Sequence, residues 1–497
     1  MEGLPDNGIA SPAGKGITDR ACKFSGHAFK ELKDEGPVGC NIACADELKA
    51  GRKCYGIEHD SNGGGEGTCK IFSEPIIGTE WKTGVTCSTL GKGGSVPKVS
   101  ECHSGGEGGS SHKEYPHELM TKSWKCKHAT LKTTCLSRDT YDKITDKVTQ
   151  TLDSLSHTCH EDDCEQADWA GCVLRMAGHD FMDYDPSKRK GGSDACTDMS
   201  HGDNNGLKAC LVTGEHGKSL ENIYEDFCKT VSLADFLVIS AEAVMTASRK
   251  RVLDKNRGAP KIDFKSQFKF GRETAKTCDG AADRLPNPEN GCDAVKTTFV
   301  NAMGLSWRGA AALMGVHTLG RARPKNSGYD GWWSDTENSR LFNNNYYVSM
   351  VKKGWRPFKA VCGNHHKNQW YKSGAGGVPQ GEINEMMLDT DLCLAFSSGT
   401  SESPGPPVKA SRDTCCAWLI RHPITKEEFG TFTEVCGLHD IGDCGSITEM
   451  KGFGAAGADV LEFADNEKAW LDEFSKAWAK ATENGFSGLQ SLRRHCR

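Results

Sequence analysis

The chain has no long apolar run. The longest, around residues 236–245, is broken by Ser240 and Glu242 and falls well short of the ~18 residues a membrane helix needs. A helix-spanning membrane protein is therefore excluded. Excess positive charge is also missing: 61 Lys and Arg stand against 67 Asp and Glu, so nothing marks the electrostatic footprint of a nucleic-acid binder. No Asn-x-Ser/Thr sequon occurs, so glycosylation gives no hint of compartment. Residues 1–15 lack the apolar core of a secretory leader, so a leader is expected to be trimmed or absent from this chain. No internal repeat is present. The glycines at 452–457 have no strand–helix context that would make them a phosphate loop.

Cysteine, by contrast, is abundant, with 24 along the chain. So many thiols would be a liability in a reducing cytosol. Most are expected in disulfides, in a secreted protein. The 497 residues suggest two or three domains at roughly 150 residues each. Residues 1–21 read as a loose tail. Residues 22–102 read as a small disulfide-stapled module, with Cys22, Cys40, Cys44, Cys54, Cys69 and Cys87 between 22 and 87; their near-symmetric spacing suits nested bridges, but spacing alone does not choose a pairing. Residues 103–120, rich in Gly and Ser, read as a linker. Residues 121–497 read as one mainly α domain with a Cys-rich insertion at 397–457.

Within that domain, apolar spacing predicts an amphipathic helix over 165–179. Ser232 is expected to cap an apolar, central helix running to about 248. Ser306 is expected to cap another through His317, stopped by Gly320 and Pro324. A last helix is expected over 465–483, ending at Asn484-Gly485. On the first of these, Arg175 and His179 share a face, one turn apart. Alone they read equally well as a surface arginine and a satisfied histidine. His317 ends a helix of small apolar residues, where an imidazole can reach a metal; Gly315 would let a flat group approach. A buried histidine bonded to a carbonyl fits as well.

Two resemblances change the weighting. Cys40-x-x-x-Cys44, Cys54-Tyr55-Gly56-Ile57 and Cys69-Lys70-Ile71-Phe72 resemble a PAN/apple module. That implies a small α+β fold, bridges Cys22–Cys87, Cys40–Cys69 and Cys44–Cys54, and a protein or polysaccharide partner. Arg175-Met176-Ala177-Gly178-His179 and Val316-His317-Thr318-Leu319-Gly320-Arg321-Ala322 resemble the distal and proximal signatures of the plant-type haem peroxidase superfamily. Lys325-Asn326-Ser327-Gly328-Tyr329-Asp330-Gly331-Trp332-Trp333-Ser334 and Met386-Met387-Leu388-Asp389-Thr390-Asp391 are similar to cytochrome c and ascorbate peroxidases. Gly191-Gly192-Ser193-Asp194 is similar to the secreted members, so the chain looks like a hybrid branch.

The resemblance implies haem b bound through His317, with Asp391 accepting the other ring N–H and Trp333 beside it. It implies His179 as general base and acid toward hydrogen peroxide, Arg175 as charge stabiliser and Asn204 as the orienter of His179. Gly178, Gly315 and Arg321 would line the cofactor. Asp180 and Asp194 match calcium-ligand positions, and Thr318 and Ser334 more weakly match a proximal cation site. Gly178 stands where relatives carry Trp or Phe, which opens space beside the distal imidazole. Asn326 replaces the arginine that serves ascorbate. Asp168, Cys172 and Arg323 occupy manganese-site positions with only one carboxylate. The implied activity is peroxide-dependent one-electron oxidation of an unknown donor. The alternative is an extracellular structural or interaction protein that reuses the fold.

Overall fold

A computed structural model describes residues 17–24, 30–35, 56–60, 67–72, 76–89, 113–159, 164–214, 218–278, 284–358, 367–373, 385–399, 404–410, 417 and 454–496. The chain divides into two units near residue 108. The first holds five strands: β1 (Ile17–Phe24), β2 (Lys30–Glu35), β3 (Gly56–Asp60), β4 (Gly67–Phe72) and β5 (Ile76–Thr89). They form one antiparallel sheet in the order β1-β5-β3-β4-β2. The register sets Cys22 opposite Thr79 and Cys87 opposite Ile17. The side chains of Cys22 and Cys87 lie outside those described, and with them the Cys22–Cys87 bridge implied by the PAN/apple resemblance. Cys40, Cys44 and Cys54, with the other two implied bridges, lie outside the described residues.

The second unit is built on helices. These are α1 (Arg138–Asp153), α2 (Glu165–Phe181), α3 (Leu233–Lys255), α4 (Trp307–Met314), α5 (Asn345–Lys352), α6 (Asp389–Ala395), α7 (Gly457–Asp465) and α8 (Glu467–Glu483). Helix α3 is buried nearly all round, as its apolar sequence predicts, and runs a further two turns to Lys255. It packs against α1 and α2, while α4 packs against α8. Ser232 and Ser306 cap α3 and α4 through the amides of Asp235 and Gly309. The last predicted helix, 465–483, is α8, which starts two residues later than expected because Asn466 caps it through Ala469 N; α7 precedes it as a separate helix. Pro116–Met120 is helical, with Leu119 and Met120 buried, so residues expected as the end of a linker already belong to the helical core.

Two small ribbons place functional residues. Strands β6 (Arg321–Ala322) and β7 (Gly331–Trp332) pair, which folds the chain after His317 back so that Trp333 returns beside it. Strands β8 (Gly354–Phe358), β9 (Gln369–Ser373) and β10 (Met386–Met387) form a sheet that delivers α6 and Asp391. Six disulfides join described residues: Cys126–Cys228, Cys135–Cys496, Cys159–Cys164, Cys172–Cys210, Cys196–Cys278 and Cys292–Cys393. Most of the 397–457 insertion and the His365-His366 pair lie outside the described residues. Among those described, no helix is long and apolar enough to cross a membrane.

Candidate active site

Helix α2 carries the distal pair. The Arg175 Nε–H donates to His179 Nε2 at 3.3 Å, as the one-turn spacing requires. His179 Nδ1 lies 2.7 Å from Asn204 Oδ1, and the Asn204 amide is itself fixed by donation to Asp198 O at 2.7 Å. An acceptor at Nδ1 and a donor at Nε2 select the tautomer with its proton on Nδ1 and a lone pair on Nε2. Burial and the neighbouring guanidinium push the imidazole pKa down to about 3, so the ring is neutral. Arg175 donates its terminal nitrogens to the carbonyls of Asn205 (2.7 Å) and Asp203. A Cβ on Gly178 would meet only Met182 Cε and Phe181 Cζ, at 3.9 and 4.0 Å. A Cβ at Gly178 would thus fit without a clash.

The proximal group centres on Asp391, which is fully buried. His317 occupies the tightened 3-10 turn Gly315–Thr318 that ends α4. Its Nδ1 lies 3.0 Å from Asp391 Oδ1, so Nε2 is the ring nitrogen available to a ligand. The Trp333 indole N–H donates to Asp391 Oδ2 at 2.8 Å, and its ring stacks on His317 with centroids 4.5 Å apart. Tyr346 OH donates to Oδ1 at 2.8 Å and Leu388 N to Oδ2 at 2.7 Å. The last bond is the capping contact of an N3 carboxylate on α6. Sequence reading missed Tyr346. Its one signal was a Tyr-Tyr pair on a short helix, which does not say where either ring points.

Distal and proximal segments meet at two glycines. A Cβ on Gly171 would fall 2.9 Å from Gly320 Cα, and Gly320 holds φ +86. His179 lies eight residues beyond Gly171, about 12 Å along the helix at 1.5 Å per residue. Asp168 fastens the crossing. It accepts from Arg321 at 2.8 and 3.0 Å and pairs with Arg323. The Arg321 guanidinium also lies 4.8 Å from the Trp332 ring centroid. Arg321, expected at the cofactor, thus binds the two halves of the site together through these contacts. Gly315 needs correction as well. A Cβ there would come within 2.3 Å of Tyr347 Oη and 2.6 Å of Trp470 Nε1. Its missing side chain makes way for the core, where Tyr347 OH and Trp470 N–H reach the carbonyls of α4.

Among the described residues no three His, Cys, Asp or Glu side chains converge as a metal centre. Asp180, fully buried, accepts both the Ala195 and Cys196 amides, at 2.9 and 2.8 Å. Burial and mutual repulsion push its pKa well up; burial likewise pushes Asp183 to about 8 and Asp194 to about 7. Asp194 Oδ1, Ser193 Oγ and Thr197 Oγ1 are buried without a hydrogen-bond partner. On the proximal side, Thr318 OH donates to Asn343 Oδ1 at 3.0 Å and Ser334 OH lies 3.4 Å from Thr318 O. The Lys353 ammonium reaches Ser334 O at 3.3 Å and Ser349 Oγ at 2.9 Å. A side-chain cation thus stands beside the carbonyl of Ser334, one of the two residues expected to hold a free one.

The donor set fits a haem: one imidazole with its second nitrogen tied to a carboxylate, a neutral imidazole–guanidinium pair on another helix, and space at Gly178. Comparison with known proteins agrees. A family model described as Peroxidase matches residues 144–403, just over half of the chain. L-ascorbate peroxidase 3 of Arabidopsis thaliana is 32% identical over 187 residues, 37% of this chain and 57% of the relative. Mitochondrial cytochrome c peroxidase of Yarrowia lipolytica is 30% identical over 264 residues, 51% of this chain and 64% of the relative. The chain spans about three-fifths of the length of these curated relatives.

Proposed function

Because the chain belongs to the plant-type haem peroxidase family, we propose that it is a haem peroxidase, reducing hydrogen peroxide with electrons taken singly from a donor. The observation that carries this reading is the Arg175–His179–Asn204 triad, in which a neutral imidazole has its tautomer fixed and its Nε2 lone pair directed at a guanidinium. Haem b, when bound, would supply the redox store that splits a two-electron reduction of peroxide into single-electron donor oxidations.

The chain's own residues do the rest. His317 Nε2 would hold the haem iron, and Asp391, accepting the hydrogen bond from the ring's Nδ1–H, would raise the basicity of Nε2. Trp333, stacked on His317 and hydrogen-bonded to Asp391, is placed to give up an electron close to the cofactor. Tyr346 OH holds the same carboxylate in place. His179 Nε2 takes the proton from the near oxygen of peroxide and returns it to the leaving oxygen. Arg175 stabilises the negative charge that develops between them, its guanidinium held in advance by two carbonyls. Gly178 leaves space for peroxide or a donor edge, and Asp168 with Arg321 keeps the two halves in register.

Calcium is a proposed structural ion near Asp180 and Asp194. Its support is the three unpartnered oxygens of Ser193, Asp194 and Thr197, which suit a hard cation. Secretion is proposed on the six disulfides, and the residues before 103 as a PAN/apple-like binding module on their cysteine motifs. The electron donor is left open; Asn326 in place of an arginine argues against ascorbate.

The test is steady-state oxidation of a small phenol by the purified chain loaded with haem. Turnover that needs both haem and peroxide supports the proposal. Loaded protein that binds haem and yields no product above free haem overturns it.

A further inference from the structure

The loop after residue 200 carries every distal hydrogen-bond partner. Asp203 O and Asn205 O receive the Arg175 guanidinium, and the Asn204 side chain receives His179. These contacts are side chain to loop, and loops open more easily than helices. A covalent tie joins the same two segments. Cys172, in α2 one turn before Arg175, is bonded to Cys210 in the turn Ala209–Thr213, which continues from that loop. Cys172 Sγ lies 3.7 and 3.6 Å from the carbonyl oxygens of Gly206 and Leu207, so the sulfur rests on the loop backbone. From the other side Asn326 packs on Gly206, where a Cβ would meet its Cγ at 2.5 Å. The loop is thus clamped at 206–210, immediately after its three functional positions.

We propose that the Cys172–Cys210 disulfide is a positioning element for the reaction with peroxide, holding the Asp203–Asn205 acceptors in register with Arg175 and His179. It rests on the peroxidase reading. The physical ground is that a distal acid–base pair works only within tight geometric limits, and small misplacements cost large factors in rate. The other described disulfides do not join the distal helix to this loop; Cys126–Cys228, which closes 102 residues against 38 for Cys172–Cys210, is the control for the loss of a bridge elsewhere in the domain.

The experiment compares the haem-loaded full chain with a Cys172→Ala/Cys210→Ala variant and a Cys126→Ala/Cys228→Ala variant. Stopped-flow absorbance reads the second-order rate with peroxide, then the rate at which a small phenol reverses the change. Hydrogen exchange of residues 201–210 is followed in parallel. The Cys172/Cys210 variant should react with peroxide about tenfold or more slowly, keep its donor rate, and exchange faster at 201–210. The control should lose thermal stability and keep both rates. Equal peroxide rates in wild type and the Cys172/Cys210 variant would overturn the inference, as would equal slowing in the control. A wild type inert to peroxide would instead sink the peroxidase reading. Should the double alanine variant fail to fold, Cys172→Val/Cys210→Ala, which refills the sulfur volume, carries the same test.

Discussion

Replacing Asp391 with asparagine isolates the hub beneath His317. The carboxylate accepts four hydrogen bonds, from His317, Trp333, Tyr346 and Leu388, at 2.7–3.0 Å. An amide has one oxygen. With that oxygen toward His317 and Tyr346, its NH2 group faces the Trp333 and Leu388 N–H groups, and two buried donors lose their acceptor. At about 1–3 kcal/mol for each orphaned group, the loss is about 2–6 kcal/mol. Flipped, the amide serves Trp333 and Leu388 but presents a donor to His317 Nδ1. The imidazole must then move its proton to Nε2, the nitrogen proposed to bind iron, and haem affinity should fall about 10- to 100-fold. Urea unfolding of the haem-free protein measures the first outcome and haem titration the second. A variant within about 1 kcal/mol of wild type that also keeps its haem affinity would refute the account of Asp391 as the shared acceptor.

Other outcomes follow from the same contacts. His179, held at about 3 against its ordinary 6.5, accepts a proton only while neutral. The peroxide rate should therefore persist as pH falls through 6.5 and drop only on approach to about 3; a half-point near 6.5 would contradict this. The sign for stability is the same: below 6.5 the unfolded chain gains a proton that the folded site refuses, so His179 withdraws stability from 6.5 downward, read as the pH dependence of urea midpoints. Two glycines should part company in thermal melts. Gly315→Ala drives a methyl into Tyr347 and Trp470 and should cost about 1–3 kcal/mol, whereas Gly178→Ala makes only ordinary contact with Met182 and Phe181 and should gain about 0.5–1 kcal/mol from helix propensity.

Part of the proposed site was legible because helical spacing and short motifs fix it locally. Arg175 and His179 are one turn apart, and Ser306 marks the start of the helix that ends at His317. Asn204, Trp333 and Asp391 came only through the family resemblance. What sequence could not supply depends on packing between distant segments. Tyr346 reaches Asp391 because α5 lies beside α6, and the Asp168 ion pairs exist because α2 crosses the strand after His317. Gly315 read as room for a ligand and is room for Tyr347 and Trp470. Cysteine counting gave disulfides but not Cys172–Cys210, since pairing is a matter of fold. Nor does any local pattern show that Lys353, nineteen residues from Ser334, sets its ammonium beside that carbonyl.

The most direct test of the central claim is stopped-flow mixing of hydrogen peroxide with the haem-loaded chain and with its His179→Leu variant. Wild type should show a fast second-order absorbance change, and the variant, with haem still on His317, should react about 10²- to 10⁴-fold more slowly. A variant that keeps its haem and reacts as fast as wild type would contradict His179 as the base.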